Sequence, residues 1–489
     1  MNNLTGLFQE QLGRFTMYSL VLYSLIAMAL MALLLMVVGN IEYSPLWFSL
    51  SVVTCVGAAY GSNILLGWLF GIKPHNESAL ITGLILALLF SPPETILGLV
   101  ELALVAAIAM ASKYIIVVRN RHIFNPAAIA IVIASISGLA FAGWWVATPG
   151  MIPITLLAGA LILNRTKKVS MGLVFVMVAV VSLAIQGTDP VTALTSWPLL
   201  FLGAVMLTEP LTLPARAKYQ YIEATLVAVL MTVPFHYGRV TMTPALALVI
   251  GNLFAWWYSQ RRTIKLRFVA KKQMGASTYD FTFDVPKLQF EPGQYLELSL
   301  IHPKSDMRGH RRIFSIASKP GEEQITIGTK LPVKPSSFKR ALMNLQPGAT
   351  LYATRVGGDF VLPDDPNVPI VCIAGGIGVT PFISFCESTD RPLRLIYAVN
   401  RVADLSFVDT LKQHNVEVIV VSPDTAKLPD PDWKHEAGNL DEKLLSKLID
   451  VNKQPVLYVS GPPAMVLAIR DQVKKLGIKR VKVDEFSGY

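Results

Sequence analysis

The sequence predicts a multi-span α-helical membrane domain of about ten transmembrane helices, followed by a soluble antiparallel β-barrel and a doubly wound α/β domain. Two observations lead to this fold class. The first 260 residues contain 11 Lys and Arg and 8 Asp and Glu, whereas the last 229 contain 32 and 25. In the second part, short alternating strands are followed by apolar runs that alternate with helical segments.

Residues 1–260 form the predicted membrane domain. Ten apolar segments in this part are of spanning or near-spanning length, and the third, sixth and eighth are short. The segments cover residues 17–39, 44–70, 78–91, 96–117, 124–143, 151–163, 170–186, 195–208, 218–236 and 241–259.

The basic residues of this domain predict its orientation. If the N-terminus is cytoplasmic, ten Lys and Arg residues fall on the cytoplasmic side and only Arg239 falls outside. An even number of spans also leaves the soluble part inside. We therefore expect a multi-pass protein of the cytoplasmic (inner) membrane with both termini in the cytoplasm. The net charge of +10 includes no dense basic run, so the expected partner is the lipid bilayer and not a nucleic acid.

Cysteine usage limits the redox centres that the chain can hold. Cys55, Cys372 and Cys386 are the only cysteines, and none has C-x-x-C spacing. One chain therefore cannot build an iron–sulfur cluster or a disulfide framework, and no metal ligands are predicted.

Two soluble domains are predicted after the membrane part. Residues 263–365 read as a small antiparallel barrel, and residues 366–489 as a parallel sheet with crossover helices. The predicted barrel strands are 279–285, 294–300, 312–317, 325–330 and 351–355. The predicted parallel strands are 369–374, 393–399, 416–421 and 456–460.

Arg312, Phe314 and Ser315 form a motif whose residue types suit a flavin. A guanidinium can pair with a phosphate, an aromatic ring can lie against the isoalloxazine, and a hydroxyl can lie near its reactive nitrogen. Ser336 and Ser337 open a helical run over residues 338–345. Backbone N–H groups at that helix start could hold a diphosphate, although an ordinary helix cap explains the two serines equally well.

A glycine-rich turn joins a buried strand to a helix in the second soluble domain. It contains Gly375, Gly376, Gly378, Thr380 and Pro381. Glycines let the pyrophosphate of a dinucleotide approach the backbone closely. We therefore expect this turn to bind a nicotinamide dinucleotide.

These motifs, in this order, resemble the ferredoxin-NADP reductase family over most of residues 263–489. The resemblance implies a bound FAD and NADH or NADPH as electron donor, because FAD can take a hydride and release single electrons. The segment from Ser460 through Gly461 and Pro462 to Met465 resembles the family's Cys-Gly-Pro-Pro segment beside the nicotinamide, with serine in place of cysteine.

The end of the sequence, DEFSGY at residues 484–489, resembles the family's acidic-aromatic ending. In that family an aromatic ring covers the flavin until nicotinamide displaces it. Phe486 is the first choice for this ring and Tyr489 the second. The resemblance implies catalytic roles for Ser315, Ser460, Glu485 and Phe486.

Residues 78–84 (SALITGL), 121–128 (RHIFNPAA) and 208–214 (TEPLTLP) resemble the flavin-carrying membrane protein family shared by sodium-pumping NADH:quinone reductases and Rnf complexes. That family's attachment sequence for covalent FMN is absent, and Thr148 is the nearest threonine. The resemblance therefore implies a noncovalent second flavin (FMN or riboflavin) or a quinone in the membrane part.

Polar groups next to prolines occur at two span ends, Asn125-Pro126 and Thr208-Glu209-Pro210. Loose backbone in a membrane is tolerated where it lines a site, so these ends suit a flavin or quinone head, with ordinary helix termini as the alternative. Glu101 and Glu223 are candidates for a proton or cation path. Because both lie near predicted span ends, carboxylates that face the membrane interface are the alternative.

The predicted function is that of a membrane-bound NAD(P)H dehydrogenase that passes electrons from FAD to a membrane flavin, a quinone or a partner protein. One alternative is a haem-type ferric or oxygen reductase, but His75, His122 and His236 lie at span ends without the spacing of axial pairs. The other is an ion-translocating component of an electron-transport complex. Asn400 and Arg401 leave the choice between NADH and NADPH open.

Overall fold

The computed structural model describes residues 16–71, 74–118, 121–238, 240–258, 264–302, 306 and 310–486. The predicted Tyr489 lies outside these residues. The chain divides into two compact units, Met1–Ser259 and Gln260–Tyr489. The two units are described separately below.

The N-terminal unit is helical. Its helices are α1 (Met17–Val37), α2 (Pro45–Leu69), α3 (Asn76–Leu89), α4 (Ile96–Ile115), α5 (Pro126–Ser137), α6 (Ile152–Thr166), α7 (Val169–Ile185), α8 (Pro190–Ser196), α9 (Leu199–Phe201), α10 (Ala217–Thr232) and α11 (Pro244–Tyr258). Helix α9 continues as a π-helix over Leu202–Met206. Two short hairpins connect helices: β1 (Val117–Val118) with β2 (Arg121–His122), and β3 (His236–Tyr237) with β4 (Val240–Thr241).

Three of these helices, α1, α2 and α4, are long and apolar enough to cross a membrane. Helices α3, α5, α7 and α11 are apolar but have 14, 12, 17 and 15 residues. At about 1.5 Å per residue, they are shorter than the roughly 30 Å of a bilayer core. The count of ten transmembrane helices therefore stays a prediction.

A small residue allows α2 and α3 to pack closely. A Cβ atom on Gly83 would lie 2.7 Å from the Cα of Val56 and 2.8 Å from the carbonyl oxygen of Cys55. Close backbone approach at glycine is typical of helix pairs in membranes. Gly83 belongs to the first of the three segments singled out in the membrane part.

The first lobe of the C-terminal unit is an antiparallel barrel. Its strands are β5 (Ile264–Gln273), β6 (Thr278–Asp284), β7 (Tyr295–Ser299), β8 (Arg311–Ser315), β9 (Gln324–Lys330) and β10 (Thr350–Gly357), with helix α12 (Ser337–Met343) before the last. The strand order is β8-β7-β10-β5-β6-β9, and a bridge from Ile316 to Ile327 connects its two ends. All five predicted strands are present. Strand β5 was not predicted, although its buried Ile264, Leu266 and Phe268 alternate with exposed residues.

The second lobe is a doubly wound α/β sheet. Its elements are β11 (Ile370–Gly375), α13 (Thr380–Ser388), β12 (Leu393–Ala398), α14 (Val408–Gln413), β13 (Val416–Ser422), β14 (Lys434–Ala437), α15 (Glu442–Leu448), β15 (Val456–Gly461), α16 (Pro463–Lys475) and β16 (Val481–Glu485). All six strands are parallel, in the order β14-β13-β12-β11-β15-β16. Strands β12, β13 and β14 are added on one side of β11, and β15 and β16 on the other. Nucleotides bind where the strand order reverses in this way.

The two lobes contact each other directly. A Cβ atom on Gly328 of the barrel would lie 2.6 Å from the methyl carbon of Thr380. A second contact is aromatic: Phe360, which follows β10, stacks on Phe385 of α13 at 6.0 Å and meets Tyr458 of β15 edge-on at 5.2 Å. These contacts hold the end of β8 near the ends of β11, β15 and β16.

Candidate functional site

Strand β8 presents the flavin motif. Arg312 and Phe314 are two residues apart, so their side chains share one face of the strand. Both reach the ring of Phe338 in α12: the Arg312 guanidinium carbon lies 5.2 Å from the ring centroid, and the Phe314 ring lies 6.0 Å away. Phe314 is 7% exposed and belongs to the barrel core.

A carboxylate occupies the position beside Arg312 where a phosphate is expected. Asp306 accepts a hydrogen bond from Nη2 of Arg312 at 3.4 Å and another from the backbone N–H of Ser337 at 3.1 Å. The same guanidinium and helix start can therefore hold an anionic oxygen, as FAD binding requires. Ser336 caps α12, because its hydroxyl accepts from the N–H of Lys339.

Ser315 and Ser460, predicted from separate motifs, meet at Asp484. The hydroxyl of Ser315 donates to Oδ2 of Asp484 at 3.2 Å. Strands β15 and β16 pair Ser460 with Asp484 in register. Ser460 is fully buried, and its hydroxyl has no hydrogen-bond partner among the described residues. A buried polar group without a partner suits a site that a ligand completes.

The last strand also positions the C-terminal residues. The N–H of Phe486 donates to the carbonyl of Gly461 at 2.9 Å, which holds Phe486 next to the Ser460 segment. Side chains alternate along a strand, so Glu485, the last residue of β16, and Asp484 lie on opposite faces of it. Asp484 was not among the predicted site residues. Its signal in the sequence was its position two residues before the aromatic ring.

The glycine turn after β11 packs against the Ser460 segment. A Cβ atom on Gly378 would collide with the Ser460 carbonyl, and one on Gly375 would collide with the Met465 side chain. Gly378 is therefore required by contact with the backbone of another segment, whereas at Gly375 the end of the flexible Met465 side chain would have to move. Gly376 differs, because its φ is +53° and nothing lies within 4 Å of its Cβ position. The open side of the turn lies at Gly376, where a pyrophosphate has room to approach.

Thr380, Pro381 and Pro462 start the two helices that flank this turn. The hydroxyl of Thr380 donates to the carbonyl of Ile377 at 3.1 Å, and Pro381 lies in the first turn of α13. Pro462 is the N-cap of α16. Proline at a helix start has no N–H to lose, so these residues fix where each helix begins.

A half-buried carboxyl group, that of Asp280, lies near the boundary between the lobes. Its pKa is raised to about 7, mainly by burial and also by the charge of Glu387, against the lowering effects of the N–H of Phe281 and of Lys272. Burial also raises the pKa of Glu387, against the effect of its hydrogen bond from the N–H of Lys319. The two acids therefore ionise less readily than exposed carboxylates.

In the N-terminal unit, two predicted polar segments meet. Asn125 donates from Nδ2 to Oε2 of Glu209 at 2.9 Å, and Nε2 of His122 lies 3.4 Å from Oε1. The side-chain oxygen of Asn125 also accepts from the N–H groups of Ala127 and Ala128, which caps α5. The π-helix that ends at Met206 immediately precedes Thr208 and Glu209. Such distortions are frequent at functional sites.

Further hydrogen bonds extend this polar cluster. Oδ1 of Asn252 accepts from the backbone N–H of Asn125 at 2.7 Å, and its Nδ2 donates to Glu223 at 3.4 Å. Glu223 is fully buried, in contrast to the interface-facing alternative, whereas Glu101 is half-buried in α4. Lys113, at the end of α4, donates to the hydroxyl of Ser78 at 2.9 Å.

Comparisons with known proteins find similarity to the C-terminal unit. Residues 372–471 match the family model of the oxidoreductase NAD-binding domain. The flavohemoprotein of Burkholderia sp. (strain TH2) is 27% identical over 201 residues, which are 39% of this chain and 49% of that protein. The 2-halobenzoate 1,2-dioxygenase electron transfer component of Burkholderia cepacia is 30% identical over 208 residues, 40% of this chain and 58% of that protein.

Among solved structures, a ferredoxin NADP+ reductase from Neisseria gonorrhoeae with bound FAD and NADP is 18% identical, with a TM-score of 0.39, and covers 46% of this chain and 99% of that chain. The chain spans about half the length of the curated relatives it matches. The family match and the two curated relatives define the class of the C-terminal unit. It is an FAD- and NAD(P)-dependent oxidoreductase, and this prediction is confirmed.

Proposed function

We propose that the chain is a membrane-bound NAD(P)H dehydrogenase of the cytoplasmic membrane. The C-terminal unit takes a hydride from a nicotinamide dinucleotide onto FAD, and the electrons pass on to a flavin, a quinone or a partner protein. When bound, FAD accepts the two electrons together and releases them singly. Both termini are proposed to lie in the cytoplasm.

The cluster of Ser315, Asp484 and Ser460 carries this proposal. It lies where the flavin strand and the nucleotide lobe meet, so donor and acceptor rings can be brought together there. The Ser315 hydroxyl holds its proton on Oδ2 of Asp484 at 3.2 Å. This pair is placed to give or take the proton that accompanies a hydride transfer. The buried Ser460 hydroxyl is proposed to orient the nicotinamide by a hydrogen bond, because no described residue uses it.

The membrane acceptor is proposed to bind at the cluster of His122, Asn125 and Glu209. Their ring nitrogen, amide and carboxylate are donors and acceptors of the kind that a flavin or quinone head requires. Polar side chains within an apolar helical unit are costly, and they are retained where they serve a site. The neighbouring π-helix supports the same position.

Ion translocation driven by electron transfer is a second candidate function. It is favoured by the hydrogen-bonded chain from Glu209 through Asn125 and Asn252 to the fully buried Glu223. Two carboxylates connected in this way could exchange a proton or cation across the helical unit. Turnover in sealed liposomes that depends on sodium or on a proton gradient would support it.

The experiment compares the full-length protein with residues 263–489. Both are extracted with acid, their cofactors are identified by mass spectrometry, and NAD(P)H-driven quinone reduction is followed in liposomes. We expect FAD and reduction of an artificial acceptor in both. Only the full-length protein should also hold a noncovalent flavin or reduce quinone.

Two results would contradict the proposal. A folded 263–489 segment that stays colourless and inactive after addition of FAD would contradict the proposed flavin site. One FAD per full-length chain, with no other pigment and no quinone reduction, would contradict the proposed membrane acceptor. A Soret band in the purified protein would favour the haem-type alternative.

A further inference from the structure

The loops after β12 and β13 lie together at the carboxyl edge of the parallel sheet. Asn400 and Arg401 follow β12, and a short helical turn over Val402–Asp404 comes next. Asp424 follows β13. In a doubly wound sheet, the adenosine ribose of a dinucleotide lies past the strand that follows the glycine turn. Arg401, Asp404 and Asp424 are therefore the charged residues that the ribose meets first.

Backbone hydrogen bonds hold these two loops in one arrangement. Oδ2 of Asp424 accepts from the N–H of Val402 at 2.8 Å, and Oδ1 accepts from the N–H of Ala426 at 3.1 Å. The hydroxyl of Ser422 donates to the carbonyl of Asn400 at 3.3 Å. The position of the Asp424 carboxylate beside the β12 loop is thus fixed before any ligand binds.

The one guanidinium in these loops is already paired. Nη2 of Arg401 lies 3.3 Å from Oδ1 of Asp404. The Asp404 side chain is only 14% exposed, whereas that of Arg401 is 69% exposed. The N–H groups of Val402 and Ala426, and then the charges of Arg401 and His435, lower the pKa of Asp424. Two carboxylates therefore lie near one arginine in these loops.

We infer that Asp404 and Asp424 make this protein selective for NADH over NADPH. The inference rests on the proposed function and names its donor. NADPH carries a 2′-phosphate with nearly two negative charges, which two fixed carboxylates would repel. NADH carries a 2′-hydroxyl at the same place, and a carboxylate accepts a hydrogen bond from it. A 2′-phosphate would have to compete with Asp404 for the guanidinium of Arg401.

The test uses the full-length, FAD-loaded protein in detergent with ferricyanide as acceptor. The ratio of kcat/KM for NADH to that for NADPH is measured, and calorimetry gives the Kd of NAD⁺ and NADP⁺. We expect a ratio of about 10 or more, equivalent to about 1.4 kcal/mol. Asp404→Asn should lower the ratio about tenfold, because Arg401 becomes available to the 2′-phosphate. Adding Arg401→Ala should reverse the gain with NADPH.

The control is Asp390→Asn, which removes an exposed carboxylate before β12, at the opposite edge of the sheet. It should leave the ratio unchanged. Preference of the unmodified protein for NADPH would overturn the inference alone. So would a ratio in Asp404→Asn that is unchanged from that of the unmodified protein. Oxidation of neither nucleotide by folded, FAD-loaded protein would overturn the proposed function and the inference with it.

Discussion

Arg312 is the residue whose surroundings best explain how an anionic cofactor is held. Its guanidinium is 10% exposed and contacts both the Asp306 carboxylate and the Phe338 ring. Asp306 lies 3.4 Å from this guanidinium. A phosphate of FAD placed here would meet a cation that already holds one anionic oxygen, so it would share Arg312 with Asp306 or take its place.

Arg312→Ala should reduce FAD occupancy, because the phosphate loses its charged partner at a cost of roughly 1.5–3 kcal/mol. FAD content is measured after purification by absorbance and acid extraction. The control is Arg311→Ala, which removes an exposed guanidinium from the adjacent position of β8. Equal FAD content in the two variants would remove Arg312 from its proposed role.

Asp280 should make the stability of the C-terminal unit depend on pH. Its pKa is about 7 when folded, against an ordinary value of 3.8. The unfolded chain therefore ionises first as pH rises, so the stabilisation present below pH 3.8 is lost progressively up to about pH 7. At about 1.4 kcal/mol for each unit of pKa, the loss is on the order of 4 kcal/mol.

Asp280→Asn should remove most of this dependence. Thermal unfolding of residues 264–489 is followed at about pH 5 and pH 8, with Asp390→Asn as the control. Unmodified protein should lose more Tm between the two conditions than the Asp280→Asn variant does. An identical loss in both would show that Asp280 ionises normally.

At the residue scale, local motifs predicted Arg312, Ser315 and Ser460, because each lies in a short pattern with a chemical meaning. Asp484 was missed as a site residue, since it reaches Ser315 only across 169 positions of the chain. Such a contact depends on strand register, which a single sequence does not specify. The site residues taken from the motifs stay predictions until variants are tested.

At the element scale, nine of the twelve strands of the C-terminal unit were predicted within one or two residues, and β5 was missed despite its alternation. Strands β14 and β16 were missed because they lie at the sheet edges, where exposed polar residues obscure the pattern. Some helices of the N-terminal unit are shorter than the apolar runs that predicted them. For example, α5 ends at Ser137, and its C-cap Gly138, with a φ of 76°, stops the helix before residue 143.

The turn between β11 and α13 should tolerate no side chain at Gly378. In Gly378→Ala the new Cβ would meet the Ser460 carbonyl, so the turn must move away from β15. We expect the KM for the nicotinamide donor to rise about tenfold, a binding loss of about 1.4 kcal/mol, while FAD content is retained.

Gly57→Ala is the matched control for this variant, because nothing lies within 4 Å of its Cβ position. It should behave as the unmodified protein in both measurements. An unchanged KM in Gly378→Ala would mean that the turn adjusts without cost. Loss of FAD as well would place the effect in folding and not in nucleotide binding.

At the scale of the whole molecule, the two lobes of the C-terminal unit should unfold together. Phe360→Ala removes a ring that packs on Phe385 and Tyr458, at a cost of about 3–5 kcal/mol. In residues 264–489, Trp433 is the only tryptophan and reports on the nucleotide lobe, whereas FAD fluorescence reports on the barrel. The midpoints of thermal unfolding reported by the two probes should fall by the same amount.

Val333→Ala is the control, because Val333 is fully exposed in the same lobe. It should leave both midpoints unchanged. If Phe360→Ala lowers only the Trp433 midpoint, the lobes are independent folding units.

The aromatic contact of Phe360 also determines where this chain can be cut and rejoined. Phe360 lies on the barrel side of residue 365, but its partners lie on the other side. A chimaera that joins this barrel to the nucleotide lobe of another protein near residue 365 would pack the Phe360 ring against different side chains. It would also change the close contact between Gly293 and Phe385. A junction before residue 264 disturbs neither contact. When recombination exchanges domains between genes, we therefore expect both lobes to be transferred together. The flavin and nucleotide sites are then inherited as a pair.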